Sequence, residues 1–360
     1  MRLVSLSMLK PEMKLAKPIY RNECLFLREG LGNLQRYSNS LRNIGIEYVY
    51  VEDSKGEGIE IPDAISEETR VNCKRILHQT IDDFENKSVI DLSDMSDTIN
   101  SIIDEILLNP DIQISLNDIS AADEYTFSHS VSTTVYSLLI ANRLGYSKSM
   151  LEKLATGALL HDMGKVLLDK KILNKEEKLT PGEFEYIKSH TTLGYEALKK
   201  CLNLTELSRI IALQHHERMD GTGYPNGEFA GDLHEFTRIV AIADVFDALV
   251  SDRCYRRKWS SNNAVNYLVE CAETQFDLKL VSVLIKQIAI YPNGSMVRLS
   301  NNVIGIVKEQ NKNFPLRPII RVINDEFGNE IEMYEIDLMQ VLSVTILESE
   351  IEMNYNQTNE

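Results

Sequence analysis

Five of the seven histidines, His129, His161, His190, His215 and His216, lie in one continuous stretch of helical periodicity between about residues 111 and 290. Successive positions are roughly one helix and one connection apart, so neighbouring helices can deliver one or two imidazoles each to a common point in a bundle. Two carboxylates join them. Asp162 directly follows His161, and Asp244 interrupts the apolar run RIVAIADVFDAL. Ionisable groups on apolar helices are costly unless paired or coordinated. The set therefore reads as a metal centre of imidazoles and carboxylates without thiolates, suited to first-row ions such as Fe, Mn, Co, Ni or Zn. If Asp162 bridges two ions, positions remain open for a hydroxide and for substrate oxygens, which describes a catalytic centre better than a structural one. His78, in a charged helical stretch, and His234, at the start of a helix, read as ordinary structural histidines.

The flanks carry different periodicities. Residues 1–65 read as a small α+β accessory domain, with strand-like MKLAKPIY and ECLFLREG, a helix ended by Gly45, and the alternating run IEYVYVED. Residues 66–110 read as connecting helices, ending at Asn109-Pro110. Within 111–290, Val131, Val135 and Leu139 mark one helix ended by Gly145, and Leu151, Leu154 and Ala158 another, with Gly164 placed for a C-cap. Further helices are expected at 181–201, 205–217, 235–251 and 260–289, the last with a break at Phe276-Asp277. Residues 291–348 shift to short alternating runs, a small β-rich segment with Leu299, Ile306 and Val307 in its core. An acidic tail, 349–360, follows. The fold class is mostly α.

With 38 basic against 54 acidic side chains, the 360-residue chain carries a net charge of −16. A broad positive surface for long nucleic acid is thereby excluded, although a locally cationic pocket for a small anion is not. The odd set Cys24, Cys73, Cys201, Cys254 and Cys271 has no close pair and reads as reduced thiols. The N-terminus makes a poor secretory signal, and no run is long and apolar enough to insert in a membrane, so the expected location is cytoplasmic.

The segments GALLHDMGK, KSHTTLGYEAL, HHERMDGTGYPNG and RIVAIADVFDALVSDRCYRR, spread between about Tyr125 and Tyr291, closely resemble the HD-GYP family of metal-dependent phosphodiesterases, a branch of the HD-domain hydrolases. The resemblance implies a helical HD-domain bundle and hydrolysis of cyclic di-GMP to linear pGpG, continuing in many relatives to GMP. It assigns His129, His161, Asp162, His190, His215, His216 and Asp244 as ligands of two divalent ions, Fe or Mn ahead of Zn, Co or Ni. Some relatives hold a third ion with a Glu where this chain has Tyr125, so two ions are expected, with Asp123 and Glu124 close by. Lys165 is placed to reach a phosphate oxygen and to act in catalysis beside Asp162. Tyr224 in the GYP triplet, Asp247, Arg253 and Arg256 are the remaining substrate-binding candidates. Asp247 has a second reading, in which it orients a ligand or a phosphate-binding Arg.

The expected chemistry is in-line attack of a metal-bridging hydroxide on one phosphorus. Two alternatives stand beside it: the same chemistry on 3′,3′-cyclic GMP-AMP, or a catalytically silent signalling scaffold. A homodimer and a signalling partner engaged through the terminal domains are compatible with the flanks.

Overall fold

The structure is a computed structural model describing residues 1–21, 23–87, 90, 92–109, 125–175, 177–201, 203–251 and 259–349. The N-terminal unit contains β1 (Arg2–Ser5), β2 (Lys14–Leu15), the hairpin β3 (Ile19–Arg21) and β4 (Cys24–Leu27), α1 (Ser38–Asn43) and β5 (Tyr48–Glu52). Its antiparallel sheet has the order β1-β5-β2. Alternation in β5 sends Val49 and Val51 into one apolar cluster with Val4 and Leu15, and Tyr50 into another with Leu3, Ala16 and Ile61. Both faces of this small sheet are therefore covered.

Arg2 and Asp53 form a largely buried ion pair at the end of this sheet, Nη2 to Oδ2 2.7 Å. Burial by itself would raise the Asp53 carboxyl pKa, but the Arg2 hydrogen bond and charge outweigh it, and the net shift is downward. Such a carboxylate contributes stability that is complete above its unfolded pKa, about 3.9, and is lost as pH falls through the lower folded value. Thermal stability of the N-terminal unit should therefore be level at neutral pH and drop below about pH 4. Asp53→Asn should flatten that drop in a calorimetric pH series.

The helical elements are α2 (Glu67–Lys87), α3 (Ser93–Leu108), α4 (Tyr125–Arg143), α5 (Lys148–Leu159), α6 (Lys170–Leu173), α7 (Pro181–Lys188), α8 (His190–Leu198), α9 (Glu206–Gln214), α10 (Glu235–Val250), α11 (Ser261–Glu270) and α12 (Leu278–Ile285). α2 and α3 do more than connect. Cys73, Leu77, Met95, Ile102 and Ile106 enter the same core as Val135 and Leu139 of α4 and Leu154 of α5. Their apolar stripes need a partner face, and α4 and α5 provide it.

The expected helix 181–201 is two helices meeting at Ser189, and 260–289 is likewise two, with Asp277 capping α12 through the Lys279 and Leu280 amides. Gly145 ends the α4 region at φ +80°. Gly164 is not a C-cap. It lies inside a short 3₁₀ turn, Met163–Leu167, and its missing side chain serves a close approach described below.

The C-terminal strands β6 (Met296–Leu299), β7 (Ile304–Glu309), β8 (Ile319–Asn324), β9 (Glu330–Asp337) and β10 (Ile346–Ser349) form an antiparallel sheet in the order β10-β6-β7-β8-β9. Leu299, Ile306 and Val307 are buried as expected. The two ends of the chain meet. The Leu3 amide donates to Gly294 O (3.0 Å), Asn293 Nδ2 to Glu60 O (2.8 Å) and Arg321 Nη1 to Glu57 O (2.5 Å), while Ile59 packs on Ile306 and Ile323. Among the described residues, no helix is long and apolar enough to cross a membrane. Residues 350–360 of the acidic tail lie outside the described residues.

Candidate metal centre

The seven candidate ligands come from five helical segments. His129 lies on α4, His161 and Asp162 on the turn after α5, His190 at the first position of α8, His215 and His216 just past α9, and Asp244 on α10. Two glycines let the first segments approach. A Cβ on Gly164 would sit 1.9 Å from the His190 carbonyl oxygen, and one on Gly194 would sit 2.9 Å from the Gly164 nitrogen. Backbone contact at this point places Asp162 beside His190.

The ligand atoms form two groups that share one residue. Asp162, His190, His215 and His216 each offer an atom within 4.8 Å of the others, and so do His129, His161 and Asp162. The Asp162 carboxylate stands between them, Oδ1 3.5 Å from His190 Nε2 and Oδ2 3.3 Å from His161 Nε2. Asp244 joins from the far side, Oδ1 3.0 Å from His129 Nε2 and Oδ2 3.8 Å from His216 Nδ1.

The outer ring nitrogens set the tautomers. His161 Nδ1 faces Ala158 O at 2.7 Å, His190 Nδ1 faces Ile187 O at 2.7 Å, and His215 Nδ1 faces Ile211 O at 3.0 Å. A carbonyl oxygen only accepts, so each Nδ1 carries the proton and donates it. In a neutral ring Nε2 is left as a lone pair aimed inward, the arrangement that metal-ligating histidines use. Burial pushes the His215 pKa well below the ordinary imidazole value, helped by neighbouring imidazoles. Burial likewise lowers His190, and takes His216 down to about 3. These rings are therefore neutral at physiological pH.

Two buried atoms, His161 Nε2 and Asp162 Oδ1, have no hydrogen-bond partner. Unsatisfied polar atoms in a buried site are expensive and rare. A divalent cation is the group that satisfies lone pairs from imidazole and carboxylate together, and the donor set fits such a cation.

Residues 115–280 match a family model described as HD domain, and residues 296–358 match one described as KOW domain associated with HD domain. The chain is 30% identical over 326 residues, 82% of its length and 77% of the relative's, to the cyclic di-GMP phosphodiesterase PA4108 of Pseudomonas aeruginosa. This chain belongs to the HD-GYP family. It is also 40% identical over 149 residues to the cyclic di-GMP phosphodiesterase response regulator RpfG of Xanthomonas campestris, a match covering 41% of this chain and 39% of RpfG. The solved structure of Bd1817, a protein of the same family from Bdellovibrio bacteriovorus, aligns with a TM-score of 0.52 over 78% of this chain and 97% of that one, at 18% identity, a likeness of fold.

In this HD-GYP chain, Lys165 Nζ donates to Asp162 Oδ2 at 2.5 Å and so stands at the edge of the centre. The Tyr224 ring lies 4.7 Å from the His216 ring and 6.5 Å from that of His190. Asp247, a substrate-contact candidate in the sequence, turns its carboxylate to His129. It is buried behind His129, with Oδ2 2.7 Å from His129 Nδ1 and Oδ1 accepting from Ser251 Oγ at 3.2 Å. One helical turn from Asp244 on α10, it holds the His129 ring while Asp244 meets its other nitrogen. Asp247→Ala should lower metal retention or turnover by about 10- to 100-fold, with Asp247→Asn milder because its amide oxygen can still accept. Metal content after dialysis against a chelator checks this. Arg253 and Arg256, with Asp123 and Glu124, lie outside the described residues.

Sequence reading missed Glu217. This buried carboxylate accepts backbone N–H bonds from Asn226 (2.7 Å), Gly227 (3.1 Å) and Glu228 (3.1 Å), and so ties the GYP loop to the residue after His216. Gly223 is required nearby, since a Cβ there would lie 2.5 Å from the Glu217 Cα. The signal was an acidic residue directly after His-His, ahead of a glycine-rich turn. His234 caps α10, with Nδ1 accepting from the Phe236 amide at 3.1 Å.

Proposed function

We propose that the chain is a metal-dependent phosphodiesterase that opens cyclic di-GMP to linear pGpG. The observation that carries this reading is the pair of histidine-aspartate groups joined at Asp162, in an HD-GYP chain whose relatives PA4108 and RpfG are named cyclic di-GMP phosphodiesterases. His161, His190, His215, His216, His129 and Asp244 would hold two ions with Asp162 between them, Fe or Mn being our assignment.

When bound, such ions neutralise phosphate charge and make a water nucleophilic at neutral pH. The chain's own groups do the rest. The His190, His215 and His216 imidazoles stay neutral through burial, as ligation needs. Lys165 lies beside the shared carboxylate, where its ammonium can turn to a phosphate oxygen and offset charge as the pentacoordinate state forms. The GYP loop, held by Glu217, keeps the Tyr224 ring against His216 and closes one side of the cleft.

The test is a chromatographic turnover assay on the metal-analysed protein, with cyclic di-GMP and 3′,3′-cyclic GMP-AMP in parallel. Conversion of cyclic di-GMP to pGpG supports the reading. Turnover of cyclic GMP-AMP alone, or of neither compound with metals bound, overturns it.

A further inference from the structure

α7 buries none of its residues, yet polar contacts pin it in place. Thr180 and Glu183 form a reciprocal capping box, Lys175 Nζ bonds both Glu183 oxygens at 2.8 and 2.9 Å, and Tyr186 Oη accepts from the Asp169 amide at 3.1 Å. A short helix without a core face is held rigid at the lip of the metal centre. It presents Phe184, 47% exposed, and Lys188, two residues before His190.

The Lys188 ammonium lies 4.9 Å from the Phe184 ring centre and 5.3 Å from that of Tyr224, which itself packs on His216. A single exposed aromatic is unremarkable on a protein surface. An aromatic sharing one cation with the ring that lines the centre is a continuous wall. Among the described residues, Lys188 pairs with Glu185, at 2.7 Å, whose side chain is 69% exposed. Pairs of this kind contribute little and exchange readily for a better anion.

A cyclic dinucleotide brings two phosphodiesters and two purines. When one phosphodiester sits at the centre, the other and its base fall outside it. We propose that Lys188 and Phe184 form this second anchoring point: the ammonium takes the phosphate that is not being cleaved, and the Phe184 ring stacks on a purine face. The assignment rests on the cyclic-dinucleotide reading above and names a part of the site that carries substrate selectivity.

Steady-state kinetics of the metal-loaded full chain test it, with cyclic di-GMP compared against bis(p-nitrophenyl) phosphate, which has no second phosphate and no purine. Lys188→Ala should raise KM for the dinucleotide about tenfold or more while kcat stays within about threefold, as for loss of a charged hydrogen bond made equally in ground and transition states. Lys188→Arg should restore most of the affinity, and Phe184→Ala should raise KM several-fold. The loss should be confined to the dinucleotide. Unchanged KM in Lys188→Ala, or equal losses on both substrates, overturns the assignment and leaves the phosphodiesterase reading intact. Wild-type turnover of the nitrophenyl ester with none of any cyclic dinucleotide overturns the substrate reading and this assignment with it.

Discussion

Asp162→Ala should remove both of the proposed metal ions and at least about 10³-fold of the turnover, since bound ions supply several kcal/mol of transition-state charge stabilisation. The expectation follows from the shared position of this carboxylate. Asp162 belongs to both ligand groups, whereas His129 and His161 belong to one, and His190, His215 and His216 to the other. Removing His216 should therefore weaken one ion preferentially, while removing Asp162 undoes the pair. Folding should survive the change, because no hydrogen bond reaches Asp162 Oδ1 and Lys165 reaches solvent easily. Metal analysis, circular dichroism and turnover measured on one preparation separate these effects. Near-wild-type metal content or activity in this variant would refute the shared-ligand arrangement.

Gly164→Ala should be the most damaging single methyl group in the bundle. Its Cβ would lie 1.9 Å from His190 O, 2.6 Å from Gly194 N and 2.8 Å from His190 C, all backbone atoms that cannot rotate away. α8 would have to move off the 3₁₀ turn and carry His190 away from Asp162. We expect a loss of about 3 kcal/mol in unfolding free energy, at the upper end for overpacking, together with a large fall in metal affinity. Gly182→Ala is the control, since nothing lies within 4 Å of a Cβ there. Denaturant unfolding of both variants checks the difference. A Gly164→Ala protein as stable as wild type would mean that the approach of α8 to the turn is looser than these distances state.

Much of the site was legible in the sequence because its residues announce themselves chemically. An aspartate inside RIVAIADVFDAL or a histidine pair after an apolar helix has few inexpensive structural uses, and the spacing of one helix per ligand group follows from bundle geometry. Asp247 was visible for the same reason, but its direction was not. Whether it faces the cleft or the back of His129 depends on how α10 is rotated against α4, which packing sets. Glu217 escaped because its three partners are backbone amides, which no side-chain pattern displays. Gly164 was misassigned because a glycine after a helix is most often a cap. Here its use is an approach between segments about thirty residues apart, a tertiary fact. The break at Ser189 was hidden as well: periodicity continues across it, and only the turn brings Lys188 and His190 to the same lip.

By itself, the sequence determined the helical class of the middle, the ligand chemistry of imidazoles and carboxylates, and the membership in a family of phosphodiesterases. Those properties depend on residue type and local period, which a linear chain displays. Tertiary structure alone decided that one carboxylate is shared by two groups, that Asp247 stands behind His129, that α2 and α3 belong to the core, and that the two ends of the chain dock on each other. Each is a distance between segments remote in sequence. Close packing of the helices and the backbone contact at Gly164 fix those distances.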